Sequence, residues 1–189
     1  MGILLAINTA TESTEIAFLR EGEVLREGSW PAEANESDKI LPYLRESLEE
    51  LGGQFADLSG IFCVKGPGQF TALRVGITIV NTLAFLLKIP IYTMDTFKMI
   101  SARSGLSEPH YVVLPAGRDK IFWDRFPERF SEVQSTDSVP SDLPRATFGN
   151  VKSTGFGEFL AKKDLGEMEK CDILEPLYIR PPNISASSD

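Results

Sequence analysis

The stretch that decides the fold is Val64-Lys65-Gly66-Pro67-Gly68-Gln69-Phe70-Thr71-Ala72-Leu73-Arg74-Val75-Gly76. An apolar strand ends at its Gly-Pro-Gly turn, formed by Lys65, Gly66, Pro67 and Gly68, and a helix with almost no polar face follows. Such a turn presents backbone N–H groups at the positive end of a helix dipole, where a phosphate can bind. The same turn can also simply reverse the chain and direct an apolar helix at a partner.

The residues around the turn favour the structural interpretation over phosphate binding. A P-loop has a Lys-Ser or Lys-Thr pair after its glycines, whereas Gln69 and Phe70 follow here. Lys65 could neutralise a phosphate, but it lies at the end of the strand. The glycines let the strand reverse into a helix, and Pro67 stiffens the corner.

We predict no catalytic, cofactor-binding or metal-binding residue. His110 is the only histidine, so the chain cannot form the histidine pair of a zinc protease. No nucleophile pattern flanks His110, and we expect it to be a packed or surface side chain. The acidic residues show no fixed pairing, which is typical of solvated surface rather than of a catalytic dyad.

Composition indicates a globular chain that does not bind nucleic acid by itself. The 189 residues are 42% hydrophobic and carry a formal net charge of −8, whereas phosphate contacts need clustered Lys and Arg. Cys63 and Cys171 form no disulfide framework and no metal-binding pair, so we expect a reduced, cytoplasmic setting. The run 70–89 carries Arg74 and Asn81, and no signal-peptide pattern opens the chain, so we expect neither export nor membrane insertion.

The hydrophobic pattern of the first half predicts the order βββαβα, followed by a short strand and a helix. Ser37 is the expected N-cap of the first helix, and Gly52-Gly53 is its expected end. The predicted strands are 3–7, 16–19, 24–30, 61–64 and 90–93, and the predicted helices are 37–51, 70–87 and 97–103.

The pattern partly restarts beyond residue 105, which predicts an α/β protein of two lobes. We place the first lobe at 1–105, a related but abbreviated second lobe at 106–184 and a disordered tail at 185–189. Two half-related lobes are the layout of the actin-like ATPase fold, also called ASKHA or RNase H-like. The predicted second-lobe elements are a hairpin of 111–115 and 121–126, a strand at 129–134, a loop at 135–144 and a helix at 156–163.

Two features argue against a nucleotide-binding role and favour a role in protein interaction. An ATPase of this fold would present an aspartate to Mg²⁺ after the first strand, where this chain has the neutral Asn8. The 70–87 helix is apolar on nearly every side, and such a helix must be buried all round. Either a partner covers its outer side, which Ala72, Gly76 and Ala84 would let approach closely, or the rest of the chain does.

Four sequence blocks resemble the TsaB family, also called YeaZ, in order and spacing. The resemblance covers the chain from end to end, and the long Gly-Pro-Gly block is its specific part. The second-lobe hairpin 116–123 also resembles that family. The four blocks are residues 4–11, LLAINTAT; 37–42, SDKILP; 65–76, KGPGQFTALRVG; and 176–180, PLYIR.

The resemblance implies a bacterial non-catalytic subunit with no cofactor of its own. Such a subunit dimerises with TsaD and works with TsaE to form N6-threonylcarbamoyladenosine beside the tRNA anticodon, meeting tRNA only through the complex. The family commonly has Asp at Asn8, His-Ser at Glu36-Ser37, Ser at Gln69 and Gly at Ala72, and its second lobe is longer. A homodimeric scaffold or regulator and an ATP-dependent small-molecule kinase are the alternatives.

The resemblance also implies that the two first-lobe helices pack on equivalent helices of TsaD. We therefore expect the partner interface to lie on helices 37–51 and 70–87. The predicted interface residues are Ser37, Ile40, Leu41, Leu44, Leu48, Phe70, Leu73, Arg74, Ile77, Asn81 and Ala84.

Overall fold

The computed structural model describes residues 2–33, 35–115, 121–130, 134–136, 139–151 and 155–179. These residues form two β-sheets with helices packed on them. The larger sheet has the strand order β10-β5-β4-β1-β2-β3 and the smaller one β8-β7-β6-β9. The larger sheet contains β1 Ile3–Asn8, β2 Ser13–Arg20, β3 Glu23–Pro31, β4 Leu58–Val64, β5 Ile91–Met94 and β10 Glu169–Cys171. The smaller sheet contains β6 His110–Pro115, β7 Ile121–Phe126, β8 Gln134–Thr136 and β9 Arg145–Ala146.

The helices of the first half follow the predicted order, so the βββαβα pattern is confirmed. The strand β1 pairs antiparallel with β2 and parallel with β4, and it lies at the centre of a buried apolar core. Its Leu5 and Ile7 are fully buried, as is Phe18 of β2. The helices are α1 Ser37–Glu50, α2 Phe70–Leu87, α3 Thr96–Ser104, α4 Phe148–Val151 and α5 Phe156–Ala161.

Ser37 was expected to cap α1, and this prediction is wrong, because Glu36 holds the N-cap position. The Glu36 carboxylate is buried and accepts hydrogen bonds from the Thr14 hydroxyl, the Trp30 indole N–H and the Glu33 backbone N–H. These bonds join the start of α1 to the β2–β3 hairpin. A carboxylate at a helix N-terminus is also favoured by the helix dipole.

The predicted end of α1 is confirmed, since Gly52 follows the last turn with a φ of +69°.

The chain after residue 155 returns to the larger sheet. The helix α5 packs on β2 and β3, and β10 pairs antiparallel with β5 at the sheet edge. The rings of Phe156 and Phe62 lie 6.0 Å apart. The boundaries proposed for the lobes, 1–105 and 106–184, stay predictions, and the tail at 185–189 lies outside the described residues.

The smaller sheet corrects two predictions. The hairpin of β6 and β7 forms, but Arg129 and Phe130 lie outside any strand, and the third strand is β8 at Gln134–Thr136. The Phe130 backbone N–H instead donates to the Asp124 carboxylate, which takes that residue out of the ladder. Residues 135–144 are therefore not all loop. The resemblance-based hairpin 116–123 lies outside the described residues over 116–120.

The helix α2 is buried on one side only, so the described rest of the chain does not cover its outer side. Its buried side packs on β4 and β1. Gly76 lies so close to this core that a Cβ there would stand 2.2 Å from the Thr9 hydroxyl. The small residues Ala72, Gly76 and Ala84 thus allow close packing within the chain itself. The exposed residues of α2 are Phe70, Thr71, Arg74, Thr78, Thr82, Phe85 and Leu86.

The same helix is long and apolar enough to cross a membrane by length and composition. Its 18 residues have a mean hydropathy of 1.7, and 39% of them are buried. A core helix of a soluble protein passes the same test, and α2 is packed on a sheet. The expected absence of membrane insertion stays a prediction.

The two cysteines should differ in reactivity. Complete burial of Cys63 raises the pKa of its thiol far above the usual range. Partial burial and then the Glu169 carboxylate also raise the pKa of the half-exposed Cys171 thiol, but reagents can reach it. We expect a disulfide exchange reagent at pH 8.5 to modify one thiol in the folded chain and two in denaturant. Two modified thiols in the folded chain would contradict this placement.

Candidate functional site

The Gly-Pro-Gly turn closes on the chain's own backbone. Gln69 donates its backbone N–H to the Ala10 carbonyl oxygen over 3.1 Å. Gly68 lies against the same carbonyl, since a Cβ at Gly68 would stand 1.9 Å from the Ala10 oxygen. Gly66 has a φ of +98°, which a glycine adopts without strain. The turn is therefore bonded to and packed against the chain's own backbone at Ala10, which supports the structural interpretation.

Lys65 does not face this turn as a phosphate-binding cation. Its ammonium pairs with the Glu169 carboxylate at 2.5 Å, and only about a fifth of its side chain is exposed. Its carbonyl oxygen accepts the Leu177 backbone N–H at 2.7 Å. Lys65 thus joins β4 to the C-terminal segment 172–179, and its charge is already partnered.

Asn8 is a structural residue within a buried polar network. Its side-chain amide donates to the Thr11 hydroxyl at 2.9 Å and to the Glu15 carboxylate at 2.8 Å, and its oxygen accepts the Ala10 N–H at 3.0 Å. Glu15 in turn forms a two-point ion pair with Arg103, at 2.8 and 3.0 Å. Both side chains of this pair are buried. Among the described residues no cluster of three His, Cys, Asp or Glu side chains could hold a metal ion.

Replacing Asn8 with aspartate should destabilise the fold rather than create a metal site. The change removes the donor to Glu15 and places two carboxylates in contact, at a cost of about 2–4 kcal/mol near neutral pH. Burial and the Glu15 charge raise the pKa of the introduced carboxyl above its unfolded value, so stability is lost as pH rises through that pKa. Urea unfolding should show a larger deficit for Asn8→Asp at pH 8 than at pH 5.

The exposed Asn150→Asp is the matched control for this change. Asn150 makes hydrogen bonds to backbone groups of Thr147 and Arg145 at the surface, where water can replace them. We expect its cost to stay below about 1 kcal/mol and to vary little with pH. A deficit of Asn8→Asp no greater than that of the control would contradict the network.

A cavity of about 380 Å³ lies beside the turn, between the two sheets. Its wall on the side of the larger sheet comes from the β1–β2 loop and the Gly-Pro-Gly turn, and its other wall comes from β6, β7 and the start of α4. Most of this lining is apolar, and Glu12 is its only charged side chain among the described residues. The lining residues are Ala10, Thr11, Glu12, Pro67, Gly68, Gln69, Val113, Leu114, Pro115, Ile121, Thr147, Phe148 and Gly149.

An ion-pair network joins the start of α3 to β7 of the smaller sheet. Asp95 caps α3 by accepting the Lys98 N–H, and its second oxygen accepts from Arg129 at 2.8 Å. Arg129 also pairs with the fully buried Asp124 of β7 at 2.5 Å.

His110 is buried, as expected for a packed histidine, and its ring nitrogens contact the Ser101 hydroxyl and the Glu108 carbonyl.

The predicted interface residues fall into two groups. Six belong to the core, because their side chains are buried within the chain itself, and this burial corrects the prediction that they contact a partner. Asn81 is also engaged inside the chain, since its amide exchanges two hydrogen bonds with the backbone of Leu174, at 2.8 and 3.0 Å. The six core residues are Ile40, Leu44, Leu48, Leu73, Ile77 and Ala84. The remaining predicted residues, Ser37, Leu41, Phe70 and Arg74, are exposed.

We call the seven exposed residues of α2 the α2 arc: Phe70, Thr71, Arg74, Thr78, Thr82, Phe85 and Leu86. Phe85 is 81% exposed and Leu86 is 67% exposed, although both are large and apolar. Arg74 is the only charged side chain in the whole helix. The α2 arc therefore has the composition of a protein-binding surface, with few charges, an arginine and exposed apolar side chains.

Sequence reasoning missed Phe85 and Leu86 as surface residues, although helical spacing gave a usable signal. Arg74, Thr78 and Phe85 recur at intervals of four and seven, so they lie on one side of the helix. The polar members of that series mark the solvent side. Tyr178 was missed as well, because its contact with α2 joins residues distant in sequence.

Three comparisons relate the chain to known proteins. Residues 26–143 match the family model described as "TsaD: tRNA N6-adenosine threonylcarbamoyltransferase". The Bacillus subtilis "tRNA threonylcarbamoyladenosine biosynthesis protein TsaB" is 32% identical over 123 residues, which are 63% of this chain and 52% of that protein. Its namesake from Haemophilus influenzae is 34% identical over 171 residues, 89% of this chain and 63% of that protein. The chain thus spans little more than half the length of the curated relatives it matches.

A solved structure described as "YeaZ from Pseudomonas aeruginosa" has the same fold. It superimposes with a TM-score of 0.73 at 23% identity, covering 94% of this chain and 100% of that chain. Together with this structural similarity, the two sheets and the cavity between them define an α/β protein of the actin-like ATPase fold. Within that fold, the chain belongs to the TsaB (YeaZ) family, and the family model that matches it is named for TsaD.

Proposed function

We propose that this chain is a non-catalytic subunit for tRNA threonylcarbamoyladenosine biosynthesis and that it docks on TsaD through the α2 arc. The observation that carries this proposal is the exposure of Phe85 and Leu86 on a helix with a single charged residue. Leu41 of α1, 46% exposed, adds a further apolar group on the second predicted helix. The relatives named TsaB supply the pathway.

The site beside the turn supports a role without catalysis of its own. The Gln69 N–H of the turn is bonded to the Ala10 carbonyl, Lys65 is paired with Glu169, and Asn8 is bound within a buried network. Three groups that a nucleotide and its Mg²⁺ would need are therefore committed to other partners. In this proposal the chemistry belongs to TsaD, and the chain binds no cofactor.

Charge supports an indirect relation to tRNA. The net charge of −8 opposes the phosphate backbone, so the chain meets tRNA only within the complex with TsaD. TsaE is the second proposed protein partner, through the resemblance to the family. The cytoplasm is the proposed location.

A homodimer is the second candidate, because the exposed apolar part of the α2 arc could also pack on its own copy. In that arrangement the chain alone would form a stable dimer, and adding TsaD would leave that dimer intact.

An ATP-dependent kinase is the third alternative, and it requires binding of ATP and Mg²⁺ by the isolated chain. Isothermal titration calorimetry with both ligands should give no heat of binding if the proposal holds.

The function itself is tested in the organism that carries the chain. We expect deletion of its gene to remove N6-threonylcarbamoyladenosine from total tRNA, measured by mass spectrometry of nucleosides. The native chain should restore the modification. The exposed-surface variant Phe85→Lys should not, although its positive charge suits the C-terminal end of α2 and should leave folding unaffected. Unchanged modification in the deletion strain would contradict the proposed function.

A further inference from the structure

Arg74 is held in a fixed orientation on the α2 arc. Its guanidinium carbon lies 3.7 Å from the centre of the Phe70 ring and 5.6 Å from that of Tyr178. Its Nε donates a hydrogen bond to the Tyr178 hydroxyl over 2.8 Å. A flexible arginine on an open surface would not keep one position, whereas stacking and a hydrogen bond reduce its freedom before any partner binds.

The outer end of this side chain has no partner within the described residues. The hydrogen bond to Tyr178 uses Nε, and no ion pair joins Arg74 to a described carboxylate. The two terminal nitrogens of the guanidinium thus remain available as parallel donors, the pattern that matches a carboxylate.

We propose that Arg74 determines partner specificity by receiving an acidic side chain of TsaD in a two-point ion pair when the α2 arc docks. This inference rests on the proposed function and adds the chemistry of the contact. The bond is an association only, with Arg74 Nη1 and Nη2 donating to the two oxygens of one carboxylate. Exclusion of water by Phe70 and the docked surface strengthens such a pair.

The charge of α2 disfavours a second copy of this chain packed helix on helix. The α2 helix contains no carboxylate, so packing one α2 arc on another would leave both Arg74 guanidinium groups without acidic partners. Burying an unpaired charge is costly. A partner that supplies a carboxylate opposite Arg74 avoids that cost, whereas α2 of a second copy packed on α2 does not.

Calorimetric titration of the purified full chain into TsaD from the same organism tests the inference. We expect Arg74→Gln to weaken binding at least tenfold and to reduce its dependence on NaCl concentration. Arg74→Lys should recover only part of the loss, because lysine keeps the charge without the paired donors. Lys162→Gln removes the same charge just after α5, and we expect its affinity to stay within twofold of native. Circular dichroism melts confirm that each variant is folded.

The outcomes separate this inference from the proposed function. If Phe85→Lys abolishes binding while Arg74→Gln binds within twofold of native, the α2 arc docks on TsaD but the proposed ion pair of Arg74 is overturned. If both variants bind TsaD like the native chain, the proposed docking surface itself is wrong. If the native chain ignores TsaD but forms a dimer that needs Arg74, a second copy is the occupant and the inference is overturned.

Discussion

Replacing Arg103 with methionine is expected to lower the free energy of unfolding by about 3–5 kcal/mol, because it leaves the Glu15 carboxylate buried without its cation. Arg103 has no exposed side-chain surface, and Glu15 is only 6% exposed. Methionine keeps much of the arginine's apolar volume, so the loss reports on charge more than on a cavity. Urea unfolding followed by circular dichroism measures it.

A double variant gives the control for this effect. Combining Arg103→Met with Glu15→Gln removes both charges, while the new amide oxygen can still accept the Asn8 donor. We expect the double variant to recover at least half of the loss, since removing a buried pair costs less than breaking it. A double variant as unstable as Arg103→Met would show that packing, and not the unpaired charge, explains the loss.

Gly68→Ala is expected to cost at least about 3 kcal/mol, because the new Cβ meets backbone that cannot rotate away. The clash is with the carbonyl oxygen, carbon and Cα of Ala10, at 1.9, 2.6 and 2.7 Å. Relieving it requires moving the turn away from the β1–β2 loop. That movement also breaks the hydrogen bond from Gln69 to Ala10. Thermal unfolding of the purified variant measures the loss.

Gly149→Ala is the matched control, because both glycines line the same cavity. The nearest atom to a Cβ at Gly149 is the Thr147 hydroxyl at 3.7 Å, an ordinary contact. Alanine also has the higher helix propensity, so we expect this control to unfold within about 1 kcal/mol of the native chain. Equal losses at the two positions would mean that the turn is not tightly closed.

The order of the elements was predictable because each carries a local signal. The apolar runs around Ile3 and Ile61 identify buried strands, and Phe70–Leu87 was predicted with the bounds that the structure has. The strand β10 gives no such signal, since Glu169–Cys171 is short and mostly polar and forms only by pairing with β5. Its existence depends on a contact between residues far apart in sequence.

The candidate site was predictable in location but not in detail. The sequence singled out Asn8 and the Gly-Pro-Gly turn separately, but it did not indicate that the Ala10 carbonyl accepts the Gln69 N–H of the turn. For α2, uniform hydrophobicity concealed which side faces the sheet, so core residues such as Leu73 were predicted as interface residues. Burial depends on packing in three dimensions, and periodicity alone fails where nearly every position is apolar.

The central claim, docking of TsaD on the α2 arc, is tested most directly by size-exclusion chromatography with light scattering. The chain, of 20.9 kDa, and TsaD from the same organism are run separately and mixed at micromolar concentration. We predict that the mixture elutes with the summed mass of one copy of each protein and that Phe85→Lys prevents this complex. Two separate peaks with the native chain, or an unchanged complex with Phe85→Lys, would contradict the claim.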